Sequence, residues 1–109
     1  MKLIIAIVQH EDSLVLIDAL MEAKLYVTKL STTGGFLKMG NTTLLIGTEQ
    51  ARIEQVLTII RETCHSREQF MATALPFDSA GVGINSFPVK VNVGGATVFI
   101  IDVERFEKF

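Results

Sequence analysis

At 109 residues the chain is long enough to bury a core without metal or disulfide support, and short enough that residues 1–109 read as a single domain. A net charge of −2 with no cluster of lysine or arginine excludes the electrostatic footprint of a DNA, RNA or anionic-membrane binder. Hydrophobic residues make up 49% and charged ones 20%, an apolar share that points to buried subunit contacts and hence to an oligomer. The single Cys64 cannot form an internal disulfide, no apolar run approaches the ~20 residues of a membrane span, and Leu3 to Val8 is too short for a signal peptide and lacks a cleavage site. A cytoplasmic protein is expected. There the Asn41-Thr42-Thr43 glycosylation pattern is inert and its asparagine is free for other uses.

Lys2 to Gln9 is continuous and β-branched, the pattern of a buried strand. The cap-like Asp12-Ser13 then opens an apolar helical stretch ending near Lys24, with the acids Glu11 and Asp12 complementing the dipole of its first turn. Leu25 to Ser31 reads as a second strand and Thr42 to Thr48 as a third. Between them, Gly34 and Gly35 can take positive φ, so that adjacent backbone N–H groups converge into an anion-receiving concavity. Thr28, Ser31, Thr32, Thr33, Asn41, Thr42 and Thr43 surround that hinge with neutral donors and acceptors, and Phe36 adds a flat apolar face. The set suits a phosphate beside an aromatic base, although the same residues also serve an ordinary hairpin loop.

Ile53, Val56, Leu57, Ile60 and Cys64 recur at helical spacing, with Arg52, Glu54, Gln55, Arg61 and Glu62 on the wet side. The stretch from His65 to Pro88 lacks periodicity and reads as a long connection, a second candidate ligand element. Val89, Val91 and Val93 alternate with Lys90 and Asn92 as a half-buried strand, which Gly94-Gly95 turns into another at Ala96 to Val103. The terminal ERFEKF carries no clear pattern. This order predicts an α+β fold with helices on one face of an antiparallel sheet, close to a split βαβ unit with an added strand. The bare sheet face must be covered, which again favours self-association.

Catalytic constellations are scarce. His10 and His65 are far apart in sequence, and Cys64 and His65 are neighbours that point apart on a helix, so no zinc spacing exists and no metal is expected. Gly81-Val82-Gly83 follows no strand and opens no helix, as a dinucleotide fingerprint must. There is no Walker A lysine and no Gly-x-Ser-x-Gly elbow. The expectation is a protein that is not an enzyme.

The opening KLIIAIVQ, the segment TKLSTTGGFLKMGNTTLLIG and the strand VGGATVFI resemble the PII-like cyclic di-AMP receptor family of signal-transduction proteins, and Arg67-Glu68-Gln69 after the second helix fits as well. The resemblance implies a ferredoxin-like, PII-type α+β subunit, with an antiparallel sheet, two helices on one face and two long loops. It also implies a homotrimer holding cyclic di-AMP, with no further cofactor, in the clefts between subunits. By position, Thr28 would contact phosphate; Gly35, Phe36 and Leu37 would shape the pocket; Asn41 and the Gly47 backbone would hydrogen-bond an adenine; and Phe99 would help line the cleft. The loops Thr32 to Asn41 and Cys64 to Pro88 would reorder on binding and so alter the surface offered to a downstream protein. Two positions depart from the pattern: Tyr26 stands where relatives commonly have arginine, and Lys108 where they have glutamine. Those departures leave two other readings, a PII-type sensor of ATP or ADP and a trimeric interaction module without a ligand.

Overall fold

A computed structural model describes residues 1–30, 40–72 and 88–109. Four strands, β1 (Lys2–Gln9), β2 (Tyr26–Leu30), β3 (Asn41–Thr48) and β6 (Ala96–Asp102), form one sheet in the order β2-β3-β1-β6, and every neighbouring pair is antiparallel. Helices α1 (His10–Glu22) and α2 (Ile53–Cys64) cover one face, giving the ferredoxin-like arrangement expected from the sequence.

The period-two alternation of the strands builds the core. Ile4, Ala6 and Val8 of β1 and Leu44 and Ile46 of β3 point to the helices, where they meet Leu16 and Leu20 of α1 and Val56, Ile60 and Cys64 of α2. The α2 stripe is thus buried as its spacing predicts. The α1 C-terminus is closed by a Schellman motif: Leu25 N–H donates to the Leu20 carbonyl at 2.9 Å and Lys24 N–H to Met21 at 2.9 Å. Lys24 takes the left-handed position at φ 62°, and the buried pair Leu20 and Leu25 supplies the accompanying apolar contact. Arg52, ahead of α2, donates from Nη2 to the Ala23 carbonyl at 2.6 Å, tying the two helices together.

Three expectations are corrected. The stretch from His65 to Pro88 is not all connection, because Arg67–Ala72 is a strand, β4, paired antiparallel with β5 (Pro88–Val93) in a separate two-stranded ribbon. Glu68, Gln69 and Phe70 are all exposed, so this part of β4 carries no apolar alternation that the sequence could show. Gly94-Gly95 is not a hairpin turn between partners: β5 pairs with β4, while β6 crosses to β1. Both glycines have positive φ, 81° and 86°, and carry the chain from the ribbon into the main sheet.

Asp12, finally, does more than complement a dipole. α1 begins after Gln9 with no side-chain cap, and Ser13 donates to the His10 carbonyl. The Asp12 carboxylate is buried against Arg67, which reaches it with both terminal nitrogens, at 2.9 and 3.3 Å. This ion pair fixes the base of the ribbon to α1. Gly94 N–H to Gln9 Oε1 at 2.7 Å and Gly95 N–H to the Cys64 carbonyl add to the same joint.

Candidate functional site

The sheet face away from the helices carries the site. Strand register places Tyr26, Thr28 and Leu30 of β2, Asn41, Thr43, Leu45 and Gly47 of β3, Leu3, Ile5 and Ile7 of β1, and Thr97, Phe99 and Ile101 of β6 on this one face. Much of it is apolar and in view of solvent, with Phe99 53% and Ile101 46% exposed.

All four described residues among those singled out from sequence, Thr28, Asn41, Gly47 and Phe99, therefore share a face. Gly35, Phe36 and Leu37, together with most of the loop Thr32 to Asn41, lie outside the described residues. Asn41, expected in the loop, is the first residue of β3 and pairs with Gln9. Sharing a face does not bring the four together. Thr28, Leu45, Ile5 and Phe99 form one row across the sheet, so Thr28 and Phe99 are three strand spacings apart, about 14 Å. Asn41 and Gly47 are six residues apart on β3, about 20 Å.

Thr28 and Gly47 line the same cavity, of about 640 Å³, with Tyr26 and Leu45 on its floor and Phe106 and Lys108 of the chain's last segment on its wall. The segment is anchored where Val103 N–H donates to the Met1 carbonyl at 3.2 Å. Asn41 instead lines a smaller groove of about 260 Å³ beside Gln9, Gly94 and Thr97, at the far end of the sheet. Of the cavity wall, Phe106 is what sequence reasoning missed, since it belongs to a tail without periodicity and only the return of that tail to the sheet reveals it; Lys108 on the same tail is one of the two positions the sequence singled out.

Three charged side chains line the large cavity: Lys2, Glu107 and Lys108. Lys2 is held by Asp102, a contact that draws the Asp102 carboxyl below its ordinary range. Glu107 accepts from Arg105 at 2.7 Å. Lys108 rests over the Tyr26 ring, its Nζ 5.8 Å from the centroid. Among the described residues no group of His, Cys, Asp or Glu is arranged to hold a metal ion, and no helix is long and apolar enough to cross a membrane.

The free face of a ferredoxin-like sheet thus carries a polar-edged cavity, and comparison with known proteins gives the family. The family model described as cyclic-di-AMP receptor matches residues 1–109. The chain belongs to the cyclic di-AMP receptor family. It is also similar to a solved structure, a functionally unknown protein from Pediococcus pentosaceus ATCC 25745, at 47% sequence identity and a TM-score of 0.75, over 99% of this chain and 96% of that one.

Proposed function

We propose that this protein is a non-enzymatic, cytoplasmic signal-transduction protein that binds cyclic di-AMP in the clefts between subunits of a homotrimer. Loop rearrangement on binding changes the surface offered to a downstream protein. The observation that carries the reading is the separation of the site residues over one uncovered sheet face. Thr28 and Phe99 sit on opposite edge strands, and Asn41 and Gly47 at opposite ends of β3. One chain cannot close these four around one base, whereas a second copy packed on the apolar face brings one chain's Thr28 and Gly47 beside another's Phe99 and Asn41.

The roles follow from chemistry. Thr28 donates its hydroxyl to phosphate, and Phe99 offers an aromatic edge to the cleft. Asn41 and the Gly47 backbone pair with adenine edges, which rejects guanine by leaving the wrong edge unpaired. Phe36 supplies a stacking face; Gly35 and Leu37 shape the pocket around it. A base stacked on an aromatic ring is worth about 1–3 kcal/mol, and ordering a loop around it couples affinity to loop state.

Tyr26, standing where the resemblance implies an arginine, leaves one alternative, a PII-type sensor of ATP or ADP, because the Lys108 ammonium on the cavity wall suits a mononucleotide polyphosphate as well as a cyclic dinucleotide. Calorimetry with cyclic di-AMP, ATP and ADP on protein of measured oligomeric mass separates the readings. Saturable binding of cyclic di-AMP alone supports the first, and of ATP or ADP alone the second.

A further inference from the structure

Helix α1 turns two chemistries outward at once. Its inner side, with Leu16 and Leu20, is buried in the core, while Leu14, Val15 and Met21 remain 62%, 59% and 62% exposed. At about 100° per residue these three fall within one sector of about 120°. Glu11, Asp18 and Glu22, all exposed, fall in the same sector. Helix α2 differs, for its exposed residues include Glu54, Gln55, Thr58, Arg61 and Glu62 and no large apolar side chain. Among the described residues none of Glu11, Asp18 and Glu22 forms a salt bridge, and Arg67, the cation reaching the first turn, is engaged by Asp12. Lys24, just past the end of α1, is exposed and bridged to none of them.

The apolar sheet face through which copies associate in the reading above lies on the other side of the subunit, so α1 faces outward in such an assembly. A second copy laid α1 on α1 would set one acidic trio against another, and an anionic bilayer would meet the same repulsion. A surface that is both cationic and apolar complements this face. We propose that the outer face of α1 is the docking surface for a partner protein presenting an amphipathic helix whose apolar stripe is flanked by lysine or arginine. The stripe seats on Leu14, Val15 and Met21, and the cations meet Glu11, Asp18 and Glu22. The inference deepens the signalling reading above, on which it rests, by naming the kind of downstream protein. Asp12, on the inner side of the same helix, holds Arg67 at the base of the β4–β5 ribbon, so ribbon and docking face share one rigid element.

The test is fluorescence anisotropy of the full-length protein with a labelled helical peptide of leucine and lysine, about 14 residues long to match the helix face, beside the same peptide with glutamate for lysine. At about 50 mM salt the lysine peptide should bind with a Kd on the order of 10 μM, weakening about tenfold at about 300 mM, and the glutamate peptide should not bind. Asp18→Lys, Leu14→Ser and Met21→Ser should each weaken binding about tenfold, whereas Glu54→Lys with Glu62→Lys on α2 should leave it within twofold. No binding of the lysine peptide, or equal loss in the α1 and α2 variants, would overturn the inference. A fall in oligomeric mass on Leu14→Ser would overturn it in favour of a second copy on α1, and co-sedimentation of the wild type with phosphatidylserine-containing vesicles in favour of a membrane. Should a serine variant lose its fold, Asp18→Lys, which alters an exposed charge alone, decides. No nucleotide is present in this experiment, so failure of the nucleotide reading shows in the cyclic di-AMP titration and failure of the docking surface shows here.

Discussion

Thr28 and Phe99 stand at the two ends of one row across the open sheet face, with Leu45 and Ile5 between them. The two edge strands stay about 14 Å apart, so contact by both residues with one base requires two chains. Thr28→Ala and Phe99→Ala should each weaken nucleotide binding, by about 1–2 kcal/mol for a lost hydrogen bond or aromatic contact. When the two variants are denatured together in equal amounts and refolded, about a quarter of the clefts should regain both intact residues and full affinity, as random assembly around a ring dictates. Titration of the mixture checks this, and a mixture with no strong sites would place both residues in one chain's site.

Arg67 and Asp12 join the ribbon to the body. Arg67→Ala would leave the buried Asp12 carboxylate without its guanidinium, and should lower unfolding stability by about 2–3 kcal/mol. Gly94→Ala should act on the same joint, since a Cβ there would lie 2.5 Å from Arg67 Nη1 and from the His65 carbonyl, at a φ of 81° that side chains rarely adopt. Urea unfolding of both variants measures the loss, and a change under about 0.5 kcal/mol would count against the pair as an anchor.

Lys24 occupies a position that glycine fills without strain. Lys24→Gly should stabilise the protein by about 0.5–1 kcal/mol, because relief of the left-handed conformation outweighs the backbone entropy glycine adds. Thermal unfolding reads the sign directly.

Cys64 lies at the base of α2, fully buried. Burial pushes its thiol above the ordinary value of 9.0, only partly offset by the Thr63 hydroxyl. Because the folded value is raised, the stabilisation is complete below pH 9.0 and declines as the pH climbs above it, where the unfolded thiol ionises first. The native thiol should resist alkylation at neutral pH and react promptly in denaturant, which a labelling time course followed by mass spectrometry would show.

Much of the fold was legible in the sequence for a definite reason. Ile4, Ala6 and Val8 alternate on one face and Val56, Ile60 and Cys64 recur at helical spacing, and both patterns record burial against a common core. What was not legible has no such imprint. β4 is a strand whose exposed residues face no core, and the crossing of β6 to β1 depends on a vacancy at the sheet edge rather than on Gly94-Gly95 themselves. The Asp12 to Arg67 pair spans 55 residues, beyond any local spacing rule. In the candidate site, strand alternation puts Thr28, Asn41, Gly47 and Phe99 on one face, yet their separation over it emerges only from strand order. The meeting of Tyr26 and Lys108 required the tail's path.

Titration of the wild-type protein, of measured oligomeric mass, with cyclic di-AMP beside cyclic di-GMP and ATP decides whether this is a cyclic di-AMP sensor. A trimer should take up about one cyclic di-AMP per subunit and give no saturable heat with the other two. A folded trimer silent toward cyclic di-AMP would contradict that reading.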